Sequence, residues 1–301
     1  MLGSGSAGNA TLLKDDTRCR EAVLIDAGLS YRQMARRLET VGTTPEEIRA
    51  IVITHAHGDH TRGAGMFSRK HSVPVYTTDA GRADWGDVEL AEWRPMKPGR
   101  AHDICGWQFE PLVIPHDASE TVAFRIDTAN GALGFATDIG VMTDELVARF
   151  RDCRLLVLES NHSSELLEVS PYTRSTRERI GGTRGHLSNE SLATFVRTGL
   201  GDSVRCIVLA HLSRVNNVPE IAEMSCREAL ALCGRTDVDV VVTRQDRVAS
   251  TIDLSALGPI GGLRSGQAVP VDGSRVPRRQ PRLPFDMPAS PVSDVAGETT
   301  P

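Results

Sequence analysis

A layered α/β (α+β) domain is what this sequence predicts, on three observations. Apolar runs of strand length alternate with segments of helical periodicity. The pair Asn130–Gly131 separates two alternating runs, as in a tight hairpin. The apolar runs also end, one after another, in histidines and acids.

The elements follow in order. AVLID (22–26) is a compact apolar run bounded by turn residues, as expected of a strand buried on both faces. In YRQMARRLETVG the residues Met34, Ala35, Leu38 and Val41 recur at helical spacing, and Gly42 stands where a C-terminal cap belongs. AIVIT (50–54), PVYTT (74–78) and WQFEPLVIPH (107–116) are the next strands, and TVAFRIDTANGALGFATDIG holds the hairpin. RLLVLES (154–160), CIVLAH (206–211) and VDVVVT (238–243) add three buried strands, separated by helical segments near 143–150, 188–199 and 218–233. From Leu254 apolar periodicity fades, and half of the sixteen prolines fall after residue 253. The expectation is one domain over 1–253 and a flexible Pro-rich tail over 254–301, with PPII docking or a basic contact through Arg275, Arg278, Arg279 and Arg282 as the alternative.

Composition narrows the class. Of the 301 residues 40% are apolar and 24% charged, which fits a globular chain and excludes collagen, coiled coil and wholesale disorder. A net charge of −5 argues against a broad basic nucleic-acid surface but leaves room for a local basic groove. Six scattered cysteines without a CxxC pair read as reduced thiols in the cytoplasm. The N-terminus has no export pattern and no apolar run is long enough to span a membrane.

The chemistry concentrates in AIVITHAHGDHTRG. His55, His57, Asp59 and His60 follow directly on a buried strand, and His55 and His57, two residues apart in an extended segment, share one side. They can grip one ion while Asp59 and His60 turn toward a second. Mixed imidazole and carboxylate ligands suit zinc or another first-row divalent ion. His116, Asp138 and His211 each close a further apolar run, and strand ends converge in layered folds. One carboxylate commonly bridges two cations about 3.5–4 Å apart.

With these residues the chain resembles the metallo-β-lactamase superfamily, whose HxHxDH signature matches residues 55–60. The segments LGSGSAGNATLL, LIDAGLS, TDIGVMT, LESNH, GHLSNE and LAHLSRVNN look like the YycJ/WalJ group within it, a bacterial family associated with DNA exonuclease activity. The resemblance implies a four-layer αββα sandwich with two divalent ions, zinc first and manganese as the alternative. It places His55, His57 and His116 on the first ion, Asp59, His60 and His211 on the second, and Asp138 between them. Asp26 would shape the metal loop through hydrogen bonds, the alternative being an ordinary turn aspartate.

Glu159 ends the run RLLVLES, and His186 lies just before a helix that Ser188 or Asn189 could cap. A similar Glu and His pairing in ribonuclease Z relatives orients an imidazole toward the scissile phosphate. The alternative makes Glu159 a structural acid and His186 a helix-start hydrogen bonder. Arg174, Arg177, Arg179 and Arg184 would suit a phosphate backbone near the site, or else form a solvated helix face. Asn217, with Asn161, His162 and Asn216, would contact substrate or order a loop. His71 and His102 receive no role.

The implied activity is phosphodiester hydrolysis of DNA, as a 5′ to 3′ exonuclease, with Asp59, Glu159 and His186 in the catalytic roles. Alternatives are a hydrolase of RNA or small cyclic phosphodiesters, a thioester or lactam hydrolase of the same fold, and a binding module with a decayed metal site. Family members have a short strand before the LGSGSAGN segment. Its absence here predicts either an upstream translation start or a sheet without that outer element.

Overall fold

Alternation along the strands dictates the layering. In β1 (Thr11–Lys14) and β2 (Ala22–Ile25) neighbouring residues point to opposite faces, and every residue of β2 is buried. Val23 and Ile25 join one core cluster, Ala22 and Leu24 another. A strand apolar on both faces needs a covering layer on each side. The computed structural model describes residues 1–15 and 21–257, and the chain supplies both layers.

The first sheet continues with β3 (Ile48–Val52), β4 (Val75–Thr78) and β5 (Trp93–Met96), in the spatial order β1-β2-β3-β4-β5, with only the β1–β2 pair antiparallel. The second sheet comprises β6 (His102–Ile104), β7 (Trp107–Ile114), β8 (Thr121–Thr128), β9 (Gly131–Ala136), β10 (Leu155–Glu159), β11 (Cys206–Ala210) and β12 (Asp239–Val242). Its order is β12-β11-β10-β9-β8-β7-β6. The expected hairpin joins β8 to β9, with Thr128 opposite Gly131.

The helices are α1 (Tyr31–Thr40), α2 (Gly58–Thr61), α3 (Ala64–His71), α4 (Asp79–Asp84), α5 (Asp144–Phe150), α6 (Ser164–Glu168), α7 (Arg174–Ile180), α8 (Asn189–Thr198) and α9 (Pro219–Leu232). Met34 and Leu38 of α1 and Phe67 of α3 cover the outer face of the first sheet. Leu146 and Phe150 of α5, Leu192 and Phe195 of α8, and Leu230 of α9 cover the outer face of the second. Between the sheets lie Val52, Phe109, Phe124, Phe135, Val157 and Val208, with the Phe109 and Phe124 rings edge to face at 5.9 Å. The result is the expected αββα sandwich. Burying each such aromatic or aliphatic side chain contributes roughly 1.5–3 kcal/mol.

Topology decides where the strand ends meet. Strands β7 and β9 are both antiparallel to β8 and so run the same way, and β9, β10, β11 and β12 are mutually parallel. The carboxyl ends of β7, β9, β10 and β11 therefore share one edge of the sheet. His116, Asp138, Glu159 and His211 stand there, the place where open α/β sheets bind ligands.

Local signals hold where they carry a mechanism. α1 opens on a Ser30–Gln33 capping box, and Gly42 beyond its end has φ of 67°. Ser188 caps α8 by accepting from Ser191 N. The packed domain runs past the expected boundary at 253, since Ile252, Leu254 and Leu257 pack into the inter-sheet core. The rest of the expected tail, with Arg275, Arg278, Arg279 and Arg282, lies outside the described residues. Among the described residues the cysteines are free thiols, and no helix is long and apolar enough to cross a membrane.

Candidate metal centre

The histidine-rich loop is shaped from below by Asp26. Beyond β2 the backbone of Asp26 turns left-handed, with φ of 59°. Its buried carboxylate accepts from Thr54 N at 2.9 Å, from Thr54 Oγ1 at 3.0 Å and from His60 Nδ1 at 2.7 Å. The turn aspartate thus contacts both the start and the end of the loop. Two residues on, Gly28 lies under the loop so closely that a Cβ would stand 1.6 Å from Asp59 O. Only glycine permits that approach.

Asp138 and His211 share the left-handed backbone, with φ of 57° and 54°. For residues other than glycine this conformation costs on the order of 1–2 kcal/mol each. Three such residues at three strand ends, all with buried side chains, show strain concentrated at one place.

The imidazoles follow one pattern. His60 donates from Nδ1 to Asp26, His116 Nδ1 to Gly185 O at 3.0 Å, and His211 Nδ1 to Glu159 Oε1 at 2.8 Å, while His55 Nδ1 lies 3.1 Å from Thr54 Oγ1. Anchoring Nδ1 selects the tautomer that leaves the Nε2 lone pair for a cation. Nε2 of His55, His116 and His211 and Oδ2 of Asp138 are buried and make no well-directed hydrogen bond. Buried polar atoms without partners are costly, so four of them converging on one place fit a bound ion. The ligand atoms of His55, His57 and His116 come within 4.8 Å of one another, as do those of Asp59, His60 and His211. Asp138 stands between the two groups, Oδ2 3.1 Å from His60 Nε2 and Oδ1 3.8 Å from His116 Nε2. All seven sequence-derived ligand candidates are thereby brought together.

Electrostatics point the same way. Burial and the neighbouring imidazoles hold His55 well below the usual imidazole range, hence neutral. Burial would also lower His211, but Asp138, Asp59 and Glu159 outweigh it and raise the ring to about 10, so that with no cation beside these carboxylates a proton takes the Nε2 position that an ion would displace. Burial pushes Glu159 up, and the His186 and His211 imidazoles pull it further down, to about 2. Asp138 lies well below the carboxylate range because His211 and His60 override its burial. Ionised carboxylates in so dry a cluster call for positive charge among them.

Glu159 Oε1 also accepts from His186 Nδ1 at 2.8 Å, and Oε2 accepts from Ile139 N and Leu187 N. His186 is therefore beside the cluster with its ring orientation fixed. The expected substrate residues divide. Of the two readings for Asn217 the hydrogen bonds favour loop ordering: it is buried, and its amide nitrogen is taken by Ser160 O, Asn161 O and Asn189 Oδ1. Asn161, His162 and Asn216 are interior as well, Asn161 donating to His211 O. Arg174 pairs with Glu178 on an exposed face of α7, Arg177 donates to Glu168 O, and Arg184 donates to His116 O and Ala118 O.

Sequence reasoning passed over two site residues. Asn9 Nδ2 lies 3.0 Å from His60 Nε2 and 3.3 Å from Asp59 Oδ2, and Asn9 N donates to Asp59 O at 2.7 Å. The Gly- and Ser-rich segment around it was the available signal. Asp117 stands next to His116 with Oδ1 3.0 Å from that residue's Nε2, and adjacency to a ligand candidate was its only mark.

Comparison with known proteins agrees with this geometry. Residues 21–211 match the family model described as a beta-lactamase superfamily domain. The exodeoxyribonuclease WalJ of Streptococcus pneumoniae serotype 2 (strain D39 / NCTC 7466) is 30% identical over 240 residues, covering 77% of this chain and 87% of that protein. The exodeoxyribonuclease YycJ of Bacillus anthracis is 30% identical over 237 residues, 76% of this chain and 88% of that one. Among solved structures, the metallo-beta-lactamase fold protein YhfI from Bacillus subtilis superposes with a TM-score of 0.61 at 15% identity, over 81% of this chain and 95% of that chain.

Proposed function

The chain belongs to the beta-lactamase superfamily and is a metal-dependent hydrolase similar to the YycJ/WalJ exonucleases; from that premise we propose that its substrate is DNA, hydrolysed at phosphodiester bonds from the 5′ end. Two divalent ions, zinc or manganese, would neutralise phosphoryl oxygens and make water nucleophilic near neutral pH. His55, His57 and His116 would hold one, Asp59, His60 and His211 the other, and Asp138 would lie between. The similarity to two exodeoxyribonucleases supports the choice of DNA.

One observation carries the phosphodiester reading: Glu159 Oε1 accepts from both His186 and His211. A buried carboxylate so placed keeps His186 Nδ1 protonated and leaves Nε2 as the nitrogen that serves the leaving oxygen. A departing sugar alkoxide is strongly basic and needs a proton, which His186 can give as a general acid. A lactam or thioester hydrolase has no such oxygen to serve. Asp26 and Gly28 hold the loop that brings Asp59 and His60 into place. Cytoplasmic residence fits the free thiols.

Digestion of DNA labelled at either end tests the proposal. Metal-dependent release of nucleotides from the 5′ end is expected. DNA left intact beside efficient hydrolysis of RNA or of a bis-aryl phosphate would contradict it.

A further inference from the structure

Four arginines lie between residues 174 and 184, and three are already committed elsewhere: Arg174 to Glu178, Arg177 to Glu168 O, and Arg184 to the backbone of His116 and Ala118. Arg179 differs. Its Nη1 donates to Asp117 Oδ2, while Asp117 Oδ1 lies 3.0 Å from His116 Nε2 and 3.7 Å from His57 Nε2. One carboxylate therefore accepts from a guanidinium on one side and stands beside two of the candidate ligand imidazoles on the other, without a well-directed hydrogen bond to either ring.

The surroundings keep this link in place. Arg184 clamps the main chain on both sides of Asp117, and His116 Nδ1 ties the same segment to Gly185 O. His186 N donates to Ile180 O at 2.8 Å, closing the end of α7 back onto the site. Gly185 has no room for a side chain, since a Cβ would stand 2.1 Å from Arg179 O. The Arg179 side chain is 57% exposed, and one of its five donors is engaged by Asp117. Among the described residues the remaining donors face no other acceptor, in a planar fork matched to a phosphate.

We propose that Arg179 receives a backbone phosphate of the DNA strand beside the metal centre, and that Asp117 is its positioning residue, holding the guanidinium next to the clamped segment that carries His116. The proposal rests on the phosphodiester reading above. Ordering a long side chain before substrate arrives removes an entropic cost from binding. The pairing gives Asp117 a task distinct from metal ligation: it acts through Arg179.

Four proteins test it: Arg179→Ala, Arg179→Lys, Asp117→Asn and the double variant Asp117→Asn/Arg179→Ala. For Arg179→Ala, kcat/KM on single-stranded DNA should fall about 10–100-fold, mainly through KM. Binding of a phosphorothioate oligonucleotide should lose about 0.7 from its log–log salt slope, the signature of one phosphate contact on a single strand. Lysine should restore the charge and only part of the affinity. Asp117→Asn should move KM in the same direction by a smaller factor, and the double variant should match Arg179→Ala. Metal content by plasma mass spectrometry should equal that of the wild type throughout. An Asp117→Asn protein that loses metal, or a double variant whose defects multiply, would overturn the positioning role. Wild type that digests DNA alongside an Arg179→Ala protein with unchanged KM and salt slope would overturn this inference alone. Wild type that leaves DNA intact would overturn the phosphodiester reading and this inference with it.

Discussion

His60 Nδ1 lies 2.7 Å from Asp26 Oδ2, with both side chains buried, so the carboxyl end of β2 is tied to the last histidine of the HAHGDH loop. Asp26 simultaneously accepts from the Thr54 amide at the loop's start. One carboxylate thereby fixes both ends of a six-residue ligand segment, and its loss should be felt in the fold and in the metal.

Asp26→Ala is expected to lower stability by about 3 kcal/mol, because buried donors on Thr54 and His60 lose their acceptor. Metal affinity should fall roughly 10–100-fold. Urea unfolding and competition with a chelator measure the two effects. Asp26→Asn should do less damage, since asparagine tolerates the left-handed backbone and keeps one acceptor oxygen.

Gly28→Ala probes the loop from beneath. A methyl group 1.6 Å from Asp59 O forces the loop away at a cost of about 1–3 kcal/mol. The expected phenotype is a folded protein that has lost the ion on the Asp59, His60 and His211 side. A thermal melt together with a metal count would detect it.

His186→Ala separates proton donation from metal binding. On DNA, kcat should drop by about 10²–10⁴-fold with metal content unchanged. On a bis-aryl phosphodiester the loss should be much smaller, because a phenolate leaves without a proton. Equal losses on both substrates would remove the general-acid role.

Much of the architecture was legible because most of its strands are apolar on both faces. AVLID, RLLVLES and CIVLAH are short continuous runs, and they became β2, β10 and β11, sandwiched between two cores each. β5 and β6 were not legible: WRPM is mostly exposed at a sheet edge and HDI is three residues long, so neither carries a buried pattern. The ligand candidates were readable as polar residues closing apolar runs, which topology then gathers at one edge. The roles of Asn9 and Asp117 were not, because each depends on a contact across the fold that no local spacing encodes. The choice between the two readings of Asn217 was hidden for the same reason. Its motif lies beside His211, but its amide points into the loops and is saturated there.

The central claim is a centre for two ions shared by Asp138, and the most direct measurement is the metal count per chain by plasma mass spectrometry on purified, dialysed protein. The account predicts about two ions in the wild type and a loss of at least one in Asp138→Ala, together with its nuclease activity. A wild-type protein that binds no divalent metal, or an Asp138→Ala protein with full metal content and full activity, would contradict it.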